Sequence, residues 1–250
     1  MHHTPQETTV FILAAGRGER MMPLTANTPK PLLKIAQLSL IEHHINRLVN
    51  MGFKDFIINI AYLGNAIKDT LGDGSRWGVS IYYSDEQDMG ALETAGGIQH
   101  ALTHIRSDYF LCVNADIWTD FDFTTLLQHI SSLPNTQKKI AAIVLTKNPK
   151  HNLQGDFCLS SNHAELEQVL HKNNSQAVIE SYTFTGIGLY PKSAFAKLSP
   201  GKAPLAPLLR QWIDQQNLFG CIYTGQWSDI GTPERLASIN EQVANNKNIA

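Results

Sequence analysis

The chain has 250 residues, 43% of them hydrophobic, with 20 basic against 22 acidic side chains and a formal net charge of −2. That length fits one α/β domain and suffices to bury roughly three quarters of the surface of the unfolded chain. The balanced charge leaves no electrostatic footprint for a nucleic-acid partner, and no apolar run approaches the ~20 residues that a transmembrane helix needs.

The elements follow from hydrophobic periodicity. Val10-Phe11-Ile12-Leu13 predicts a first strand, followed at once by a glycine loop over residues 14–19. Leu40, Ile41, His44, Ile45, Leu48 and Val49 recur at helical spacing, with Gly52 where a C-cap belongs. Strands are expected over 56–60 and 79–83, with a short helix over 63–71 between them. Residues 94–105 read as a helix despite Gly96-Gly97, and 109–113 as a strand covered on both faces. A helix over 123–130 and a buried strand over 140–145 follow. Strand and helix alternate up to residue 146, which predicts a doubly wound, mostly parallel, Rossmann-like α/β sheet. Beyond it, 155–159 and 184–190 look like small antiparallel additions at the sheet edge, with closing helices over 205–213 and 233–243. No repeat or linker divides the chain, so 1–250 reads as a single domain. Cys112, Cys158 and Cys221 are scattered without metal-ligand spacing, as buried small hydrophobes in a reducing compartment would be. The polar segment 1–9 does not read as a signal peptide, and a soluble cytoplasmic protein is expected.

Two constellations carry chemistry. In an open α/β sheet, ligands bind beyond the carboxyl ends of the strands. The loop Ala14-Ala15-Gly16-Arg17-Gly18-Glu19-Arg20 leaves the first strand there. Gly16 and Gly18 let backbone N–H groups approach a phosphate, and Arg17 and Arg20 add charge. It is not a P-loop, since no Gly-Lys-Ser/Thr follows Gly18. It is not a dinucleotide fingerprint either, because Met21 stands where the third glycine belongs. Pro29-Lys30-Pro31 then holds a lysine in a stiff frame. The second constellation is Asn114-Ala115-Asp116, ending the 109–113 strand beside the same crevice. Asp116 has the hard oxygen donors that Mg²⁺ takes, while Asp120 and Asp122 read as loop and helix-cap residues.

The segment from Leu13 to Leu32 resembles the signature of the sugar-1-phosphate nucleotidylyltransferases. The resemblance implies a fold of the nucleotide-diphospho-sugar transferase type, with 1–146 binding the nucleotide and 147–250 forming the sugar side and closing helices. It implies that Ala15, Gly16, Gly18 and Glu19 wrap the triphosphate, that Arg20 contacts the β/γ phosphates and that Lys30 lies at the reacting centre. Trp227-Ser228-Asp229-Ile230-Gly231-Thr232-Pro233 resembles the family's late motif, which makes Asp229 the partner of Asp116 in holding Mg²⁺. Thr232 and Pro233 also suit a helix start. Glu86, Thr94 and Gly96 are implied as base-reading residues, with Thr94 also readable as a helix N-cap. Asn114 is implied near the nucleoside, and Gly155 and Thr185 in the sugar pocket.

Within the family the sequence is most similar to the bacterial N-acetylmuramate-1-phosphate uridylyltransferases of cell-wall recycling. Leu92-Glu93-Thr94, Trp118-Thr119-Asp120, Gly155-Asp156-Phe157 and Pro207-Leu208-Leu209-Arg210 are among the stretches that carry this. The expected substrates are UTP and N-acetylmuramate 1-phosphate. The attacking phosphate is already ionised, so no general base is required. Three departures stand out: Ala115 for the usual glycine, Met22 for arginine, and no Glu-Lys-Pro on the sugar side. Lys147 and Lys172 are candidates to replace that lysine's charge. A mannose-1-phosphate guanylyltransferase-like enzyme and an inactive nucleotide-sensing subunit are the alternatives. Homo-oligomerisation is left open, and no hexapeptide-repeat acyltransferase region is present.

Overall fold

The computed structural model describes residues 3–132, 140–160, 165–172 and 180–247. In chain order the elements are β1 (Thr9–Leu13), β2 (Lys34–Ile35), β3 (Leu38–Ser39), α1 (Leu40–Asn50), β4 (Asp55–Ile60), α2 (Gly64–Leu71) and β5 (Ser80–Asp85). Next come α3 (Glu93–His100), β6 (Tyr109–Asn114), β7 (Ile117–Thr119), α4 (Thr124–Ser132), β8 (Ala141–Thr146), β9 (Phe157–Leu159) and β10 (Glu167–Leu170). The last are β11 (Ser181–Pro191), α5 (Leu205–Asp214), β12 (Leu218–Tyr223), β13 (Trp227–Asp229) and α6 (Pro233–Lys247).

Among the described residues, nine strands form one sheet in the order β5-β4-β1-β6-β11-β8-β12-β10-β9. The β5-β4-β1-β6 stretch is parallel, as the alternating pattern predicts. The chain winds outward from β1 through β4 to β5 and then returns to place β6 on the other side of β1. The strand order therefore reverses at β1, and a crevice opens beyond the carboxyl ends of β1 and β6.

The antiparallel part differs from expectation. β11 is not an edge strand; it runs antiparallel between β6 and β8, in the middle of the sheet. Its burial explains this, since from Thr185 to Pro191 every residue is buried, as only a central strand covered on both faces can be. β12 then pairs parallel with β8, and β10 and β9 finish the edge.

One apolar layer packs Ile41, Ile45 and Leu48 of α1, with α2 and α4, on one face of the sheet. The other face carries Ala95 and Ile98 of α3 and Leu208, Leu209, Trp212 and Ile213 of α5. A capping box starts α1, where the Ser39 backbone N–H donates to Glu42 Oε2 at 2.9 Å; Met51 takes the C-cap, and Gly52, at φ +95°, follows it. The predicted helix over 94–105 ends at His100, with a separate 3₁₀ turn at Leu102–His104. A third small cluster, Met21, Leu33, Ile35, Leu40, Ile230 and Ile239, ties α6 and the β2–β3 hairpin to the loop after β1. None of the described helices is long and apolar enough to cross a membrane.

Candidate active site

The loop after β1 is held by its ends. The Ala14 N–H donates to Asn59 Oδ1 at 2.8 Å, and Ala115 N–H donates to Leu13 O at 3.0 Å, so the start of the loop is tied to β4 and the end of β1 to the turn after β6. At the far end Met21 is fully buried, and its N–H closes a turn on Gly18 O at 2.9 Å. Gly18 sits at φ +68°, and a Cβ there would meet Lys30 Cβ at 3.0 Å. Gly16 differs, since a Cβ at that position would meet nothing within 4 Å. Between the anchored ends, the N–H groups of Ala15, Gly16, Arg17 and Gly18 make no hydrogen bond to any described residue. Successive free N–H groups of this kind form an anion-binding concavity.

Lys30 enters from below. Its prolines permit one 3₁₀ turn, Lys30–Leu32, closed by Leu32 N–H on Pro29 O at 2.8 Å. The side chain is 9% exposed, and its Nζ donates to Asp116 Oδ2 at 2.5 Å, with the Asp116 side chain 39% exposed. A lysine and an aspartate 86 positions apart thus meet where β1 and β6 end.

β7 pairs antiparallel with β13, setting Asp229 opposite Ile117, and Ile230 N–H donates to Asp116 O at 2.8 Å. Asp116, in the turn before β7, is thereby held beside Asp229 at the end of β13. Arg235 of α6 donates to Asp229 Oδ2. His151 Nε2 lies 2.8 Å from Asp229 Oδ1 but off hydrogen-bond alignment, so this buried oxygen has no hydrogen bond. Two hard-oxygen carboxylates, one with an unsatisfied buried oxygen, are donors of the kind that would fit Mg²⁺. No described group of three or more His, Cys, Asp or Glu side chains could hold a metal by itself. Thr232 accepts from Arg235 N–H at 3.4 Å at the start of α6, the cap role expected of it. Asp122 caps α4 through Thr124 N–H at 2.9 Å.

Two adjoining cavities fill the crevice. The first, about 520 Å³, is lined by Ala15, Gly16, Gly18, Glu19, Arg20, Lys30, Asn59, Thr94, Asn114 and Asp116 among others, with Gly231 at its edge. The second, about 1020 Å³, is lined by Gly155, Asp156, His171, Lys172, Phe184, Gly186 and Arg210 among others. Leu13, Glu93, Thr94 and Asn114 line both.

Three expected contact residues stand behind these walls instead. Glu86 is fully buried, accepting from Asn59 Nδ2 and Leu92 N–H, each at 2.8 Å, and burial raises its carboxyl pKa despite those bonds. It braces the Asn59 clasp rather than facing a ligand. Gly96 donates its N–H to Ala203 O at 3.0 Å, and a Cβ there would strike Gly201 O at 2.3 Å. Its role is close packing of α3, not base reading. Thr185 is 1% exposed and turns its hydroxyl into the sheet, donating to Val144 O at 2.8 Å. Asp229 too lies outside the lining of both cavities, reaching the first only through its neighbour Gly231.

Thr94 does line the crevice, but Leu92 takes the N-cap position, and Glu93 begins α3 at φ +61°. A left-handed non-glycine residue is uncommon, and here it forms the ridge between the cavities. Lys172 lines the second cavity and Lys147 lines neither. Sequence reasoning missed Asn59, Arg235 and His151, and quoted Arg210 only within a stretch carrying the resemblance, with no role of its own. Asn59 alone carried a signal, as a polar residue inside the apolar run of β4.

Residues 9–246 match the family model for nucleotidyl transferases. The chain is 46% identical to the N-acetylmuramate alpha-1-phosphate uridylyltransferase of Neisseria meningitidis serogroup B, over 90% of this chain and 94% of that protein. It is 33% identical to the mannose-1-phosphate guanylyltransferase of Mycobacterium tuberculosis, over 91% of this chain and 62% of that one. The crystal structure of HddC from Yersinia pseudotuberculosis, complexed with GMP-PN, superposes with a TM-score of 0.72 at 18% identity. It covers 94% of this chain and 99% of its own, which establishes the shared fold.

Proposed function

The chain belongs to the nucleotidyl transferase family, and from that premise we propose that it transfers the uridylyl group of UTP to N-acetylmuramate 1-phosphate, releasing pyrophosphate. The observation that carries the assignment of the centre is the Lys30–Asp116 pair, set beneath a loop with four free N–H groups. Residues 1–146 take the nucleotide in the first cavity, and 147–250 supply most of the wall of the second for the sugar.

The chemistry is an anion meeting an anion. The N–H groups of Ala15, Gly16 and Gly18, in the loop that Glu19 closes, cradle the triphosphate. Arg20 offsets the charge of the departing β and γ phosphates. Lys30 lies at the α-phosphorus, where charge concentrates in the transition state. Asn114 and Thr94 stand where nucleoside and sugar meet, and Gly155 borders the sugar. Asp116 and Asp229 would hold Mg²⁺, which when bound would supply further charge compensation to the phosphates. The sugar phosphate oxygen forms a bond to the α-phosphorus as the α–β bridging bond breaks. The nucleophile carries no proton at neutral pH, so no side chain acts as base.

A pyrophosphate-release assay across four nucleoside triphosphates and several sugar 1-phosphates, with Mg²⁺ and with chelator, tests this. UTP with N-acetylmuramate 1-phosphate is expected to exceed every other pair by tenfold or more. GTP with mannose 1-phosphate exceeding it by that margin would overturn the uridylyl assignment.

A further inference from the structure

The second cavity has a charge pattern that transfer of a uridylyl group does not by itself require. It shares Thr94 and Asn114 with the first cavity, and in the function proposed above the reacting phosphate joins the nucleotide there. His171, Lys172 and Arg210 line the second cavity and not the first. The reacting phosphate already has Lys30 in the first cavity, so basic side chains confined to the second answer to a second anion.

Two of these three are engaged. His171 Nε2 lies 2.7 Å from Asp214 Oδ1, and Lys172 Nζ reaches Gln154 Oε1 at 3.3 Å and Gly155 O at 3.4 Å. Arg210 makes no hydrogen bond or ion pair with any described residue. It stands on the face of α5 that lines the cavity with Ala206 and Leu209. The cavity's own acids are occupied elsewhere. Asp156 accepts from Phe184 N–H at 2.9 Å, and Glu93 pairs with Lys202 at 3.5 Å. A guanidinium left unpaired at the wall of a ligand cavity matches a carboxylate with two parallel hydrogen bonds.

We infer that Arg210 is a specificity-determining residue that binds the carboxylate of an acidic substituent on the sugar. For N-acetylmuramate, whose ring bears a lactyl ether, that group is the lactyl carboxylate; this identification rests on the uridylyltransferase reading above. Arg210 thereby separates an acid-bearing amino sugar phosphate from neutral ones of the same ring size.

The test compares N-acetylmuramate 1-phosphate with its lactyl carboxamide, in which the charge is removed and the shape kept. Wild type and Arg210→Gln are assayed with UTP held constant. Wild type is expected to favour the acid by about tenfold or more in kcat/KM, as loss of a charge-assisted pair would give. Arg210→Gln should treat both within about twofold, with KM for UTP and the thermal midpoint unchanged. A variant that keeps the full preference overturns the inference, as does a wild type that uses both forms equally. A wild type that turns over neither form, yet uses another sugar phosphate, overturns the uridylyltransferase reading instead.

Discussion

Gly16 and Gly18 are two residues apart and do different work. Gly18 is required by the protein, because its φ is +68° and Lys30 lies against the position of a Cβ. Gly16 faces open space, so a methyl group there meets only what enters the cavity. Gly18→Ala should therefore lower stability by about 1–2 kcal/mol, seen in chemical denaturation. Gly16→Ala should leave stability unchanged and raise KM for UTP severalfold. Equal thermal stability in both variants would contradict this division. The Lys30–Asp116 pair separates chemistry from folding in a similar way. Lys30→Met leaves Asp116 partly in solvent and should lower kcat by roughly 10²–10³-fold, read in single-turnover assays, with little loss of stability. Asp116→Asn strands a nearly buried ammonium and should cost stability as well as turnover. At this scale the sequence was readable where backbone dictates type: a glycine loop, a lysine between prolines, an aspartate in the turn after a buried strand. Arg235 was not, and Arg210 stood only inside a resembling stretch without a role, because an arginine on a helix carries no pattern that distinguishes a cavity wall from solvent.

The element that completes the site is the β7–β13 ribbon, three residues on each side. It joins positions more than a hundred residues apart, and α6 adds Arg235 to fix Asp229. Arg235→Met should raise the Mg²⁺ concentration for half-maximal turnover by about tenfold, as removing a partner that orients a metal ligand does. An unchanged Mg²⁺ titration would show that Asp229 needs no orienting partner. α1 is tied to β7 by His44, whose Nε2 donates to Ile117 O at 2.8 Å while Nδ1 is buried without a partner. Burial lowers its pKa from 6.5 to about 4. The unfolded chain thus binds a proton that the folded one refuses, and stability falls as pH drops from 6.5 towards 4. The loss amounts to roughly 2–4 kcal/mol at the lower limit. His44→Leu should flatten that fall in denaturation curves between pH 7 and 4.5; an equally steep fall would place the acid sensitivity elsewhere. Elements with strong local periodicity, such as α1 and α5, could be read directly. β11, β12 and β13 could not be placed, since strand order depends on long-range pairing that a short apolar run does not encode.

Across the whole molecule, function follows from where the strand order turns. Because the chain leaves β1 in one direction and returns on the other side, two loops distant in sequence open one crevice, and the inserted β11 extends it. The crevice holds two adjoining cavities that share Thr94 and Asn114, the arrangement the proposed end-to-end placement of nucleotide and sugar phosphate needs. The parallel half of this design was foreseeable from alternating strands and helices. The second cavity was not, because its walls come from α5, β9 and β11, brought together only by the folded sheet. The central claim is attack by the sugar phosphate on the α-phosphorus, and labelled UTP tests it most directly. With N-acetylmuramate 1-phosphate and Mg²⁺, label at the α-phosphorus should appear in the nucleotide sugar while label at the γ-phosphorus leaves as pyrophosphate. Label at γ found on the sugar, or α-label recovered only as UMP, would contradict the account.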